Sequence, residues 1–224
     1  LPRAGRGVFA VRAVGGLAGR GCIRGSIAAT RTPFRLVAGV LGLLAAGALV
    51  TLVSATPSVA LAAGVGLVTF VAIGPLTDGV RHVADSAAAM PLYGASDLAL
   101  VASHALFPLL AGLVLLILGG LIAALWFPGA IGGSLAASIA LALGAVAARV
   151  MGAFKPSMPI ALLMPMPTPM GDMAALARAA WAIDGVLFAG VAGVAASTVF
   201  SAPWMILLVL AGGLAVIARR WARR

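Results

Sequence analysis

Almost every charge avoids six long apolar runs, at about residues 36–55, 58–76, 98–126, 130–150, 173–198 and from 203 to the arginine-rich end; Arg149, Arg178 and Asp184 are the exceptions. Seven arginines (Arg3, Arg6, Arg12, Arg20, Arg24, Arg31, Arg35) precede or begin the first run, and four more (Arg219, Arg220, Arg223, Arg224) follow the last. The gaps at 54–57, 127–129 and 199–202 carry no charge. The gaps at 77–97 and 150–172, with the helix ends beside them, carry the remaining basic residues: Arg81, Arg149, Lys155 and Arg178. A hydrocarbon core about 30 Å thick takes about 20 apolar residues per helix. An even number of spans returns the chain to the side it started from, and basic gaps mark the cytoplasmic side. The pattern therefore predicts an all-α polytopic membrane protein with six transmembrane helices and both termini cytoplasmic. It divides the chain into a basic leader (1–33), a six-helix domain (34–218) and a basic tail (219–224).

Composition narrows the partners. The chain is 63% hydrophobic and 9% charged, against roughly 25% charged in a soluble domain, and its mean hydropathy is +1.18. Six spans use most of the 224 residues and leave no room for a second folded domain. The net charge of +10 reads as cytoplasmic-side charge beside anionic lipids. Nucleic acid is not expected as a partner, because aromatic stacking platforms are missing. Fourteen arginines against one lysine, with many Ala and Gly, match a high-GC bacterial genome, so the expected location is a bacterial inner membrane. Cys22 is the single cysteine and excludes an internal disulfide. Ala60-Leu61-Ala62 looks like a signal-peptide cleavage site, but the basic region before it is too long and five more apolar runs follow, so cleavage is not expected.

Within the leader, Val8, Phe9, Val11, Val14 and Leu17 could line one side of a helix on the membrane surface. An unstructured basic leader is the alternative, since Gly15, Gly16 and Gly19 weaken a helix. The third run is too long for an upright span, and Pro108 is expected to kink it. Gly132, Ala136, Ala140 and Gly144 form a small-residue stripe at four-residue spacing; Gly185, Ala189 and Gly193 form a second. Such stripes let helices approach closely. Residues 151–172 hold five prolines and many methionines. The prolines exclude a continuous helix, and the thioethers suit a compliant apolar surface against the membrane or a partner.

Few residues are equipped for chemistry. No phosphate-binding G-x-x-x-x-G-K-[ST] loop occurs, so ATP-driven work would need another polypeptide. No nucleophile–base set or zinc-protease motif is present; no catalytic residue, cofactor or metal is expected. Asp78-Gly79, with Asp85 and Asp97, resembles the aspartate sets of phospholipid-headgroup transferases. Pro75 stands where another aspartate belongs, and the downstream spacing does not converge oxygens on a metal. The stretch Asp78, Arg81, His82, Asp85 reads either as a solvated loop with local Asp–Arg pairing or as a short cytoplasmic helix that docks a partner. Cys22, His82 and His104 are too scattered for zinc. His104 could hydrogen-bond backbone groups freed near Pro108. Asp184 lies two to three turns into the fifth run, six residues from Arg178 and on a different face. It reads either as a polar residue in a translocation path or interhelical lock, or as an interfacial carboxylate reaching headgroup water.

Six spans, a basic leader and a polar loop before a long third helix resemble the permease subunits of ABC-type exporters. The runs Pro91-Leu-Tyr-Gly-Ala-Ser-Asp97 through His104-Ala-Leu-Phe-Pro108, and Pro165-Met-Pro-Thr-Pro-Met-Gly-Asp172 before Trp181, are similar to poorly characterised actinobacterial-type ABC permease proteins. The resemblance covers about residues 20–224. It implies a separate P-loop ATPase subunit and a second six-helix half, in the same chain or as a homodimer or heterodimer. The absence of an initiator Met and the long leader would suit a C-terminal half. The resemblance also implies an ATPase-coupling surface in the stretch after the second span, at Asp78, Arg81, His82 and Asp85; His104 and Asp184, from their own positions in the spans, are the candidate path or interhelical polar residues. Gly132, Gly144, Gly185 and Gly193 would pack helices. The competing classes are a membrane scaffold or assembly protein without a path of its own, and a membrane-embedded lipid-modifying enzyme.

Overall fold

The computed structural model describes residues 4–86, 96–156, 158, 164, 167–168 and 171–223, with the backbone alone at 4–15, 17, 86, 97, 167–168 and 171–172. The element order is α1 (Ala4–Thr30), α2 (Pro33–Ala55), α3 (Val59–Ala72), α4 (Asp78–Ser86), α5 (Asp97–Ala124), α6 (Ile131–Ala153), β1 (Pro167–Thr168), β2 (Gly171–Asp172), α7 (Met173–Ser197) and α8 (Pro203–Trp221). The two short strands pair antiparallel within the Pro-rich stretch. Most of the Met-rich loop, the run 91–95 and the side chains of Val8, Phe9, Val11, Val14 and Leu17 lie outside the described residues.

Among the described residues, six helices are long and apolar enough to cross a membrane: α2, α3 with the 3-10 turn that extends it to Leu76, α5, α6 with its leading 3-10 turn, α7 and α8. This is the make-up of a multi-pass membrane protein, and the all-α class holds. Local signals start the helices. Pro33 and Pro203 occupy first turns, where a missing N–H costs nothing. Ser58 and Ser96 accept from the N–H groups of Leu61 and Ala99 at 3.4 and 3.3 Å, satisfying donors the helix leaves free.

Glycine sets how closely the helices pack. A Cβ on Gly66 of α3 would meet the Ala189 carbonyl and the Gly193 Cα of α7, and one on Gly193 would meet Gly66 N at 2.8 Å. The α2–α5 contact is made the same way: a Cβ on Gly47 would meet the Leu116 carbonyl, and one on Gly119 the Leu44 carbonyl. Gly144 of α6 sits against Ala192 of α7, and Gly185 of α7 faces the Phe70 ring. Gly132 is a correction: nothing lies within 4 Å of its Cβ position. Among the described residues no helix covers that face of α6; its neighbour Gly133 meets Ser54 instead.

α1 is a helix that packs along the first part of α5. Its buried residues Gly21, Gly25 and Ala29 recur every four positions, with Gly21 against Ser103 and Gly25 against Phe107. Arg20, Arg24 and Arg31 stay exposed. α5 runs unbroken through Pro108. At 28 residues it is about 42 Å long at 1.5 Å per residue, so its first turns overrun a 30 Å core, and α1 and α4 pack beside them.

Candidate functional site

Cross-helix contacts sort the helix ends into two sets. At one end lie the starts of α2 and α7, the ends of α3, α6 and α8, and α4. Arg35 pairs with Asp78 at 3.4 Å, Arg149 reaches the Phe70 carbonyl, and Asp184 meets Lys155 and Arg220. The opposite end carries no charge among the described residues. There Thr51 of α2 shares a 2.7 Å hydrogen bond with Ser134 of α6 and donates to the Gly120 carbonyl of α5 at 3.2 Å. Both side chains are buried, so these bonds replace water that hydrocarbon cannot supply.

Asp184 is the junction of three elements. One carboxylate oxygen accepts from Lys155 Nζ at 2.6 Å, just past the end of α6, and the other from Arg220 Nη2 at 2.5 Å in the last turn of α8. The Gly185 N–H donates to it at 2.7 Å. Lys155 also donates to the Trp181 carbonyl and lies 4.0 Å from the Trp181 ring centroid. Arg220 donates to the Met151 carbonyl at 2.5 Å. This is the geometry of an interhelical lock. It also sets the carboxylate level with the ends of α6 and α8, so the turns of α7 before Asp184 extend past both. The part of the basic tail that holds Arg219 and Arg220 is the final turn of α8, closed by Phe154 against Trp221 at 5.1 Å between ring centroids.

Arg149 does a different job. Its Nε and Nη2 donate to the Phe70 carbonyl at 3.0 and 2.5 Å, and Nη2 reaches the Val71 carbonyl at 3.4 Å. Helix ends leave carbonyls without partners. The residue four past Val71 is Pro75, which has no N–H to give it. The guanidinium caps the C-terminus of α3 from a neighbouring helix, where the helix dipole also favours a cation. It lies 4.0 Å from the Phe70 ring centroid. Gly74 leaves the room required: a Cβ there would sit 2.7 Å from Nη2.

α4 has two faces. Val80, Val83 and Ala84 are buried, while Asp78, Arg81, His82 and Asp85 are exposed. The exposed four fall at i, i+3, i+4 and i+7, one side of a helix. Of the two alternatives for this stretch, the short helix is the one observed. It packs against α1, α5 and α6. Asp78, Arg81 and Asp85 line an open cavity of about 1290 Å³ with Arg35, Arg149, Lys155 and Asp184; His82 is not on its wall.

His104 lies apart from the Asp184 junction, near Gly79. Its Nδ1 is 3.0 Å from the Leu100 carbonyl and 3.2 Å from Ser103 Oγ. The carbonyl that Pro108 leaves without an i+4 donor is that of His104 itself, so the ring bonds one turn back rather than at the freed group. Among the described residues, no group of three His, Cys, Asp or Glu side chains converges as a metal site. Gly47, Gly66, Gly119 and Gly120 were outside the sequence expectations, as were the partners of Asp184. Gly66 to Gly193 and Gly47 to Gly119 are contacts between distant segments, and no local spacing marks them.

Comparison with protein-family models, curated proteins and solved structures finds no match to this chain.

Proposed function

We propose that the chain is the membrane-spanning permease component of an ABC-type exporter in a bacterial inner membrane. It is driven by a separate P-loop ATPase subunit and works with a second six-helix half. The observation that carries this reading is α4: a short helix with an apolar face seated on the bundle and a charged face turned outward, at the charged end and on the rim of its cavity. A surface of that kind is suited to receive a soluble subunit and pass its movement to the spans. Arg35–Asp78 ties α4 to the start of α2, and the buried Val80, Val83 and Ala84 tie it to the bundle. The cytoplasmic assignment of this end rests on its arginines.

In this mechanism ATPase closure moves α4, and α4 moves the span starts beside it. The cavity then faces alternate sides as the two halves rock. Capture of a P-loop ATPase with the tagged chain in mild detergent tests the reading. Arg81→Glu with Asp85→Arg should lose the ATPase while leaving membrane insertion intact. Unchanged capture by that variant would contradict the coupling role of α4, and no ATPase with the unaltered chain would favour a scaffold.

A further inference from the structure

The cavity at the charged end has walls of two kinds. Arg35, Arg81, Arg149 and Lys155 lie among its polar lining, with Asp78, Asp85 and Asp184. Leu67, Val68 and Val71 of α3 and Val186 of α7 supply apolar lining, and they are 36%, 38%, 68% and 39% exposed. On a membrane span such residues face lipid chains, so the cavity is a groove open to the bilayer beside α3, between α2 and α7. Its volume of about 1290 Å³ exceeds the roughly 300–1,000 Å³ of ordinary small-molecule sites.

The charges do not cancel. Asp184 is held by Lys155 and Arg220, and Asp78 by Arg35. Arg81 and Asp85 stand one turn apart on α4. That leaves Arg149. Among the described residues no carboxylate is ion-paired with it, and its bonded nitrogens reach only carbonyls. Its Nη1 has no acceptor among the described residues. Asp78 attracts the guanidinium through space but does not bond it, and an anionic oxygen beside it would add a direct charge-assisted hydrogen bond. Small residues keep the groove open: Ala38 and Gly42 on α2, Ala182 on α7.

We propose that this groove binds an anionic lipid, with its phosphate at Arg149 and Arg35, and the first part of its chains over Leu67, Val68 and Val186. Leu67 to Val71 spans about 6 Å at 1.5 Å per residue, so the protein grips the headgroup and the nearest methylenes and leaves the chain ends in the bilayer. Arg149 then has two tasks, capping α3 and neutralising the headgroup. The site does not require the transport reading: lipid binding without ATPase capture would leave it standing, and ATPase capture without lipid binding would remove it alone.

The test is binding of phosphatidylglycerol, against phosphatidylcholine with the same chains, to the purified full chain in detergent, read by native mass spectrometry. Phosphatidylglycerol should bind more tightly. Ala38→Trp and Ala182→Trp, both at exposed positions, should weaken it by roughly tenfold or more, worth about 1.4 kcal/mol, while Ala211→Trp on the exposed side of α8 should not. Arg149→Gln should remove the preference for the anionic lipid. Because that variant also loosens the end of α3, the two tryptophan variants decide the matter if it does not fold. Equal binding of the two lipids would overturn the proposal, as would phosphatidylglycerol affinity unchanged by both groove tryptophans. Displacement of the lipid by millimolar inorganic phosphate alone would overturn it in favour of a free-phosphate site.

Discussion

Asp184 shows how a carboxylate is tolerated near a membrane. It has two cations and a backbone N–H, all within 2.7 Å. Breaking a fully buried pair by removing one partner costs about 3–5 kcal/mol. Asp184 is 30% exposed, so water recovers part of that loss. Asp184→Ala should lower stability by about 2 kcal/mol, measured by thermal unfolding in detergent. Lys155→Met should cost about half as much, since Arg220 remains. Equal losses from the two variants would mean that Arg220 contributes nothing. The sequence made Asp184 legible as a problem, because an isolated carboxylate in an apolar run demands a partner. The partners lie 29 and 36 positions away and were not legible. Alternation of charge put both on the same side as Asp184, but a side holds many cations, and only the packing of α6 and α8 against α7 chooses between them. The capping of α3 by Arg149 was hidden for the same reason, although Pro75 already announced that a carbonyl four residues back would need an outside donor.

Helices in this chain meet mostly through glycine and alanine, so packing is sensitive to single carbons. A side chain on Gly66 would press against the backbone of α7 at Ala189 and Gly193, and backbone cannot move aside as a flexible side chain can. Gly66→Val should therefore cost about 1–3 kcal/mol, seen as a lowered unfolding temperature in detergent. Gly132→Ala meets nothing and should change stability by no more than about 1 kcal/mol, in the stabilising direction expected for replacing glycine in a helix. A larger loss at Gly132 than at Gly66 would contradict the described packing. A four-residue stripe can be read from sequence, but whether another helix covers it cannot. The stripe of α6 is covered at Gly144 and bare at Gly132, where the adjacent Gly133 and Ser134 face α2 and α5 and Gly132 is turned away from them. α4 was partly legible. Its polar residues fit one helical face, and the apolar Val80, Val83 and Ala84 between them carry the signal for a seat on the bundle.

The molecule is polarised along the membrane normal. One end gathers the described ion pairs, the α3 cap, α4 and the groove; the other has short turns and the Thr51–Ser134 bond. The spans and this polarity were legible, because hydropathy and the sign of gap charge depend on composition alone. Helix overhang was legible only for α5, whose length exceeds the core. The overhang of α7 shows only when Asp184 is found level with the ends of α6 and α8. Function on this account is concentrated at the charged end, and the account depends on that end facing the cytoplasm. Single cysteines at His82 on α4 and at Thr56 between α2 and α3, both exposed, test it directly in a Cys22→Ser background. In intact cells made permeable only at the outer membrane, a membrane-impermeant thiol reagent should label the cysteine at 56 and reach the one at 82 only after lysis. Labelling of position 82 from outside, with position 56 protected, would contradict the account.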